Sequence, residues 1–314
     1  MSIAFTFPGQ GSQAVGMGKE LADTFPQARA VFEEVDDALG QKLSAIMWEG
    51  PEDELTLTAN AQPALMAVSL ATMKVLEAKG LDLKSSVSFV AGHSLGEYSA
   101  LAAAGSLDIA TAARLLRARG NAMQTAVPVG VGAMAALLGL DFAVAHEVAE
   151  EAAQGQVCQA ANDNAPGQVV VSGDLAAVER AIEIAKTKGA RRSILLPVSA
   201  PFHCSLMAPA ASVMDAALAD SDVRSPPVPL VANVLASAIS DPDEIRQRLV
   251  EQVTGTVRWR ESIGWLVEQG VETFVEVGTG KVLTGMVKRI ARDANGIAVN
   301  TPADIDGLIE KLNG

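Results

Sequence analysis

The sequence is poor in cysteine, histidine, aromatic residues and basic charge, and each shortage excludes something. Two cysteines, Cys158 and Cys204, in 314 residues cannot build a disulfide framework, and no CxxC metal spacing occurs. That usage suits a reducing compartment, and a cytoplasmic location is expected. The three histidines, His93, His146 and His203, are too few for a site of several His and Cys ligands, so neither a metal nor another cofactor is expected. Lys and Arg number 24 against 37 Asp and Glu, a net charge of −13. Phosphate binding needs a basic surface, so nucleic acid is not an expected partner. The longest uncharged apolar stretch, Ala126 to Leu140, has 15 residues and is broken by Pro128, Gly130, Gly132 and Gly139. It is too short and too interrupted for a membrane helix. The opening MSIAFTFPGQ has no basic n-region and does not read as a signal peptide. Aromatics make up only 4%, so the core must rest on Ala, Val, Leu, Ile and Met. What is plentiful is apolar side chain: 49% hydrophobic against 19% charged, enough for a large core in one or two domains.

The chain changes rhythm twice. A short strand is expected over Ile3–Phe7, helices over Pro26–Leu39 and Ala61–Lys79, and a buried β-branched strand over Val87–Ala91. Helices follow over Glu97–Ala104 and Ile109–Ala126, the latter with Asp108 as N-cap. Between Gly130 and Pro197 the order becomes strand Gly132–Leu140, helix Phe142–Ala153, strands Val157–Ala161 and Gln168–Ser172, helix Leu175–Lys188 and strand Arg192–Leu196. A turn rich in Asn, Asp and Pro joins the middle strands, and Asp174 is the expected cap of the second helix. This βαββαβ order is ferredoxin-like. The first rhythm then returns, with strands over Val228–Val234, Thr273–Val277 and Ile297–Asn300 among helices. The expected fold is α/β: a hydrolase-like, mostly parallel sheet covered by helices, built from residues 1–128 and 198–314, with a small ferredoxin-like domain, residues 129–197, inserted into it.

The strongest local signal is Gly92-His93-Ser94-Leu95-Gly96, a G-x-S-x-G placed between a strand and a helix. That is the setting of a nucleophile elbow. The turn pushes the Ser94 hydroxyl out of the sheet, and the Leu95 N–H at the helix start can stabilise an oxyanion. A serine nucleophile needs a base. His93 adjoins Ser94 on a sharp turn and points away from it. His146 sits among Glu147, Glu150 and Glu151 and reads as a solvated face. That leaves His203, in a Pro-containing loop, as the candidate base, with an ordinary loop histidine as the alternative. Cys204 reads as packing.

Two further stretches are ambiguous on their own. Phe7-Pro8-Gly9-Gln10-Gly11-Ser12-Gln13 nearly fits a dinucleotide fingerprint, but no strand follows before Val87, so nucleotide binding is disfavoured. Such a loop can instead bring a backbone N–H to a reacting carbonyl. Arg114, Arg117 and Arg119 lie on the helix near the elbow, and a solvated face suits two of them.

Taken in order, these stretches carry a resemblance. Phe7 to Gln13, Gly92 to Glu97, Arg119-Gly120 with Met123-Gln124, Ala161 to Gln168, Pro201-Phe202-His203 and Glu276-Val277-Gly278 resemble the malonyl-CoA:acyl-carrier-protein transacylases, the stand-alone type of bacterial fatty-acid synthesis. The similarity runs roughly from Ile3 to Asn300. The resemblance implies that Ser94 is acylated and His203 is its base. It implies that Gln10 and Leu95 supply oxyanion-hole N–H groups and that Arg119 holds the malonyl carboxylate. It implies that the Gln252 backbone carbonyl orients the histidine, giving a Ser–His dyad without an acid. In related polyketide-synthase acyltransferase domains, a Phe before the histidine goes with malonyl use, so Phe202 is a candidate for excluding branched acyl groups. One departure stands out: the family usually has Pro before the Val of a short segment, where this chain has Thr256 in Thr254-Gly255-Thr256-Val257-Arg258-Trp259.

The expected activity is therefore transfer of malonyl from malonyl-CoA to the phosphopantetheine thiol of acyl carrier protein, through a malonyl-serine, by a monomer. An α/β-hydrolase shares the elbow but orders its triad Ser, acid, His, with the histidine usually late; His203 is mid-chain. A non-catalytic acyl-CoA or carrier-protein binding module would not need Ser94 and His203. Two basic clusters are candidates for carrier-protein docking: Lys186, Lys188, Arg191 and Arg192, and Lys281, Lys288, Arg289 and Arg292.

Overall fold

A computed structural model describes residues 2–313. Among the described residues ten strands stand between helices, except that β4–β5 and β7–β8 follow one another directly: β1 (Ser2–Phe7), β2 (Phe89–Gly92), β3 (Gly132–Leu138), β4 (Cys158–Ala165), β5 (Gln168–Asp174), β6 (Arg192–Leu195), β7 (Leu230–Ala232), β8 (Ser237–Ile239), β9 (Val271–Val277) and β10 (Asn295–Val299). Six form one sheet in the order β10-β9-β1-β2-β7-β8, parallel except for the β7–β8 hairpin. The other four, all from one contiguous stretch, form an antiparallel sheet in the order β4-β5-β3-β6.

Strand periodicity explains why the large sheet is covered on both sides. Ile3, Phe5 and Phe7 of β1 point into one core, with Val90, Val275 and Val277. Ala4 between them points into a second, with Ala91, Val231, Phe274 and Trp259. Helix Thr58–Ala78 crosses the first face and is buried nearly all round, which its apolar sequence requires. The four-stranded sheet keeps a separate core, where β3 and β5 pack on helices Phe142–Ala153 and Leu175–Thr187 through Leu137, Val148, Val169 and Val178. Among the described residues no helix is long and apolar enough to cross a membrane.

Several sequence expectations need correcting. The Asn- and Asp-rich stretch after Ala161 is strand, not turn: β4 runs to Ala165 with two irregularities of register, leaving the turn to Pro166-Gly167. Tertiary partners hold it extended. Asp163 N–H donates to the Val257 carbonyl at 2.9 Å, and Val257 N–H to that of Ala161 at 2.9 Å. Arg260 grips the buried Asp163 carboxylate from its Nε and Nη2, the latter at 2.7 Å. Asp174 is not a side-chain cap; its Oδ2 accepts from Val157 N–H at 2.7 Å, closing the start of β4 onto the end of β5. Strand β8 has no counterpart in the sequence reading, nor do helices Lys19–Thr24, Leu43–Glu49, Glu52–Thr56 and Leu83–Ser86, all too short for a periodic signal. Asp108 does cap helix Ile109–Thr125, accepting from Thr111 N–H at 2.6 Å.

Candidate active site

Strand β2 ends at Gly92, and helix Gly96–Ala103 begins four residues later. So tight a reversal leaves no room for side chains: a Cβ on Gly92 would sit 1.9 Å from Gly96 carbonyl atoms, and one on Gly96 would sit 2.3 Å from the Phe7 carbonyl oxygen. Ser94 at the apex has φ 53°, a left-handed conformation that costs a non-glycine residue energy and marks a functional turn. The β1 loop presses on the elbow, with His93 N–H donating to the Phe7 carbonyl at 3.0 Å. Asn233, just past β7, braces it from beneath. Its Oδ1 accepts from Ser94 N–H at 2.8 Å, and its Nδ2 donates to the Gly92 carbonyl at 2.7 Å.

Ser94 Oγ lies 2.8 Å from His203 Nε2. His203 Nδ1–H donates to the Gln252 carbonyl at 2.8 Å, which fixes the tautomer and turns the Nε2 lone pair toward the serine. Burial, reinforced by the Arg119 charge, pushes the His203 pKa down to about 3, so the ring is neutral and able to accept a proton at neutral pH. The partner of Nδ1 is a carbonyl where a hydrolase triad has an acid. Thr256, where the family pattern has Pro, donates from Oγ1 to the Ala160 carbonyl at 2.7 Å and leaves the Gln252 carbonyl in reach of the histidine.

Arg119, 1% exposed, enters from helix Ile109–Thr125. Its Nη1 donates to Gln62 Oε1 at 2.8 Å, and its Nη2 donates to Gln252 Oε1 at 2.8 Å and to Ser94 Oγ at 3.1 Å. Every one of these acceptors is neutral, and the Nε has no acceptor among the described residues. Desolvation lowers the Arg119 pKa, but a guanidinium keeps its proton in proteins. A buried cation held by neutral groups is a receptor for an anion that must come from outside.

These groups open into a cavity of about 540 Å³. Gln10, Ser94, Leu95, Arg119, Phe202 and His203 all line it, so six of the seven residues picked from sequence converge there. The seventh, Gln252, lies behind them, fully buried. Among the described residues no protein acceptor takes the N–H of Gln10 or Leu95. His93 also lines the cavity but is spent otherwise: its Nε2 meets Asn164 Oδ1 at 2.8 Å, tying β4 to the elbow. Met134, Asn162, Asn164 and Val170 come from the four-stranded sheet, which therefore forms one wall. His146 is exposed beside Glu150, and Cys204 is buried with its Sγ against the Pro201 carbonyl, as expected of both. Arg117 departs from the solvated face expected of it: it is half-buried, and its pKa is lowered by burial.

Sequence reasoning missed Gln62, Asn233 and Glu97. Glu97 did carry a signal, as the one charged residue of the helix Gly96–Ala103, and Gln62 a weaker one, as a polar residue of a mostly apolar helix; the fold buries both. Asn233 follows a strand end and had none.

The chain is similar to known proteins over nearly its whole length. The family model described as the acyl transferase domain matches residues 4–304. A malonyl CoA-acyl carrier protein transacylase of Bacillus subtilis is 47% identical over 311 residues, 99% of this chain and 97% of that protein. One from Escherichia coli K12 is 46% identical over 308 residues, 98% of this chain and 99% of that protein. The crystal structure of an acyl-carrier-protein-S-malonyltransferase from Bartonella henselae superposes with TM-score 0.98 at 57% identity, covering 100% of both chains. A malonyl-transacylase solved in complex with its type II PKS acyl-carrier protein gives TM-score 0.96 at 44% identity, covering 99% of this chain and 100% of that one.

Proposed function

The chain belongs to the malonyl CoA-acyl carrier protein transacylases of the acyl transferase domain family, and from that premise we propose that it moves a malonyl group from malonyl-CoA to acyl carrier protein in fatty-acid synthesis. The observation that carries this reading is the pairing, in one cavity, of a Ser94–His203 hydrogen bond at 2.8 Å with a buried Arg119 that has no carboxylate partner among the described residues. A nucleophile alone would suit any acyl ester. A cation whose direct acceptors are all neutral selects one that carries its own carboxylate.

The reaction runs in two halves. The Ser94 proton passes to His203 Nε2 as Oγ attacks the thioester carbonyl. The N–H groups of Gln10 and Leu95 receive the oxyanion, and the Arg119 fork holds the distal carboxylate as a two-point ion pair. The carbon–sulfur bond breaks, and CoA leaves with the proton from His203. In the second half the phosphopantetheine thiol gives its proton to His203 and attacks the malonyl ester. Ser94 leaves with that proton restored. Thiol enters and thiol departs, so the exchange is nearly balanced, and no step calls on a metal or redox group.

The inserted unit is read as ferredoxin-like over residues 129–197, with 1–128 and 198–314 as the catalytic domain. The strand order β4-β5-β3-β6 and the separate core support this. A cytoplasmic location goes with the two free cysteines. Carrier-protein docking is assigned to the basic clusters, which converge in space. Arg289 donates to Gln168 Oε1 and, at 2.8 Å, to the Pro166 carbonyl. Across the same turn Gly139 N–H donates to the Gly167 carbonyl at 2.9 Å, and the Arg191 side chain lies over Gly139. The two clusters thus meet at a rim around the Pro166-Gly167 turn through Arg289 and Arg191; Arg192, Lys281, Lys288 and Arg292 are exposed, whereas Lys186 and Lys188 are paired with Glu183 and Glu151.

Intact mass spectrometry after mixing with malonyl-CoA tests the assignment. One malonyl mass is expected on Ser94, discharged by holo acyl carrier protein and absent from Ser94→Ala. A wild-type protein that takes no malonyl sinks the reading.

A further inference from the structure

We propose that Glu97 is a positioning residue of this site: its carboxylate, buried beneath the elbow, holds the Gln252 amide in the one orientation that offers an oxygen to Arg119, and so sets the guanidinium that receives the acyl group's carboxylate. The proposal rests on the malonyl-transfer reading and deepens it.

Glu97 stands in the first turn of helix Gly96–Ala103, 1% exposed, and is not among the residues lining the cavity. Both of its oxygens meet donors. Oε1 accepts from the Asn233 backbone N–H at 2.5 Å, and Oε2 accepts from Gln252 Nε2. That same Nε2 donates to the Ser94 carbonyl at 2.9 Å. The far end of the amide, Gln252 Oε1, accepts from Arg119 Nη2 at 2.8 Å. A side-chain amide has one donating and one accepting end. With a carboxylate and a carbonyl at one end and a guanidinium at the other, only one orientation satisfies every contact. Turned over, the amide would set its oxygen against two oxygens and its NH2 against the guanidinium.

Electrostatics gives the arrangement its purpose. A carboxylate placed directly on Arg119 would fill the fork that the substrate needs. Here the amide stands between them and passes on orientation while taking a single Nη2 hydrogen, and the Nε–H keeps no acceptor among the described residues. Burial raises the Glu97 pKa to about 8, opposed by the Asn233 and Gln252 donors and by Arg119, so these contacts are made by the carboxylate above that pH, where the variants are compared with the wild type. Through Asn233, Glu97 also braces the turn itself, because the Asn233 side chain holds Ser94 N–H and the Gly92 carbonyl. One acid that touches no substrate thus supports the nucleophile's turn on one side and the carboxylate receptor on the other.

Glu97→Gln keeps the size and changes one acceptor into a donor. The Asn233 N–H claims the new side chain's oxygen, so its NH2 meets the NH2 of Gln252. Acyl-Ser94 formation is measured from malonyl-CoA and from acetyl-CoA, with and without Arg119→Ala. The malonyl-to-acetyl rate ratio is expected to fall about tenfold in E97Q, the equivalent of one misplaced buried hydrogen bond. On the R119A background E97Q should change the ratio less than about twofold, because the group it sets is gone. An unchanged ratio in folded E97Q, or equal losses on both backgrounds, overturns the proposal. If E97Q shows no cooperative thermal unfolding, Gln252→Met decides: it removes the amide but keeps Glu97 and the main-chain carbonyl that holds His203. The same fall is expected there, and an unchanged ratio overturns the proposal. Wild-type labelling of Ser94 is read first, and its failure strikes the transfer reading itself.

Discussion

Arg119 Nη2 donates to Ser94 Oγ at 3.1 Å, so the cation assigned to the acyl group's carboxylate rests on the nucleophile itself. The serine oxygen therefore sits between a neutral imidazole that can take its proton and a guanidinium that favours its negative charge. Selection of the acyl group and activation of the nucleophile are coupled through one side chain.

Arg119→Ala should slow malonyl-Ser94 formation by about 10²–10³-fold, as expected when a buried charge loses its partner, and should slow acetyl loading much less, because acetyl loses only the help given to the nucleophile. Parallel acylation assays with the two CoA esters check this. An unchanged preference would move the carboxylate receptor elsewhere.

The His203 pKa of about 3 has two consequences with the same sign. The base stays neutral down to mildly acidic pH, so acylation kcat/KM should change less than about twofold between pH 7 and pH 5, where an ordinary histidine would lose about 25-fold of its neutral form. Stability follows too. The folded pKa lies below the usual 6.5, so the unfolded chain binds more protons between those values. This contribution is present above pH 6.5 and is lost as pH falls toward 3, and His203→Gln should flatten that part of the stability curve. A titration of acylation near pH 6.5 would contradict the assignment. His203→Ala itself should cost about 10²–10⁴-fold in rate.

Phe202 is 8% exposed and lines the cavity beside His203. Phe202→Ser should raise methylmalonyl loading relative to malonyl by opening space for an α-methyl group. Competitive loading from a mixture of the two CoA esters reads the ratio directly, and no shift would leave Phe202 as packing alone.

Gly120, next to Arg119, lets two helices touch. A Cβ there would lie 2.6 Å from the Ala59 Cα and 2.7 Å from the Thr58 carbonyl oxygen. Backbone cannot step aside cheaply, so Gly120→Ala should destabilise by about 1–3 kcal/mol despite alanine's better helix propensity. Urea unfolding measures this, and equal stability would mean the helices separate freely.

Lys288→Glu combined with Arg292→Glu should slow transfer to carrier protein by about tenfold at low salt and flatten its salt dependence. Acylation by malonyl-CoA should be unaffected. Equal rates of discharge at low salt would remove the rim around Pro166-Gly167 from docking.

Local sequence determined the elbow, because its demands are local: two glycines where any Cβ would strike backbone, a serine between them, a buried strand before and a helix after. It also determined the alternation of strands and helices, since period and punctuation are carried by neighbours in the chain. The candidate residues could be named, with the help of the resemblance, but not joined. His203, Gln252 and Arg119 are separated from Ser94 by 109, 158 and 25 positions, and only the packing of β2, β7 and two helices brings them within hydrogen-bond distance. The stretch Asn162-Asp163-Asn164 shows the reason most plainly. Its composition favours a turn, yet Val257, Arg260 and His93 satisfy its polar groups and hold it as strand. Polar residues take the structure their partners impose, and those partners are fixed by the tertiary fold. Glu97 stood in view within the elbow motif, but its role depends on Asn233 and Gln252, which only the folded chain places at its two oxygens.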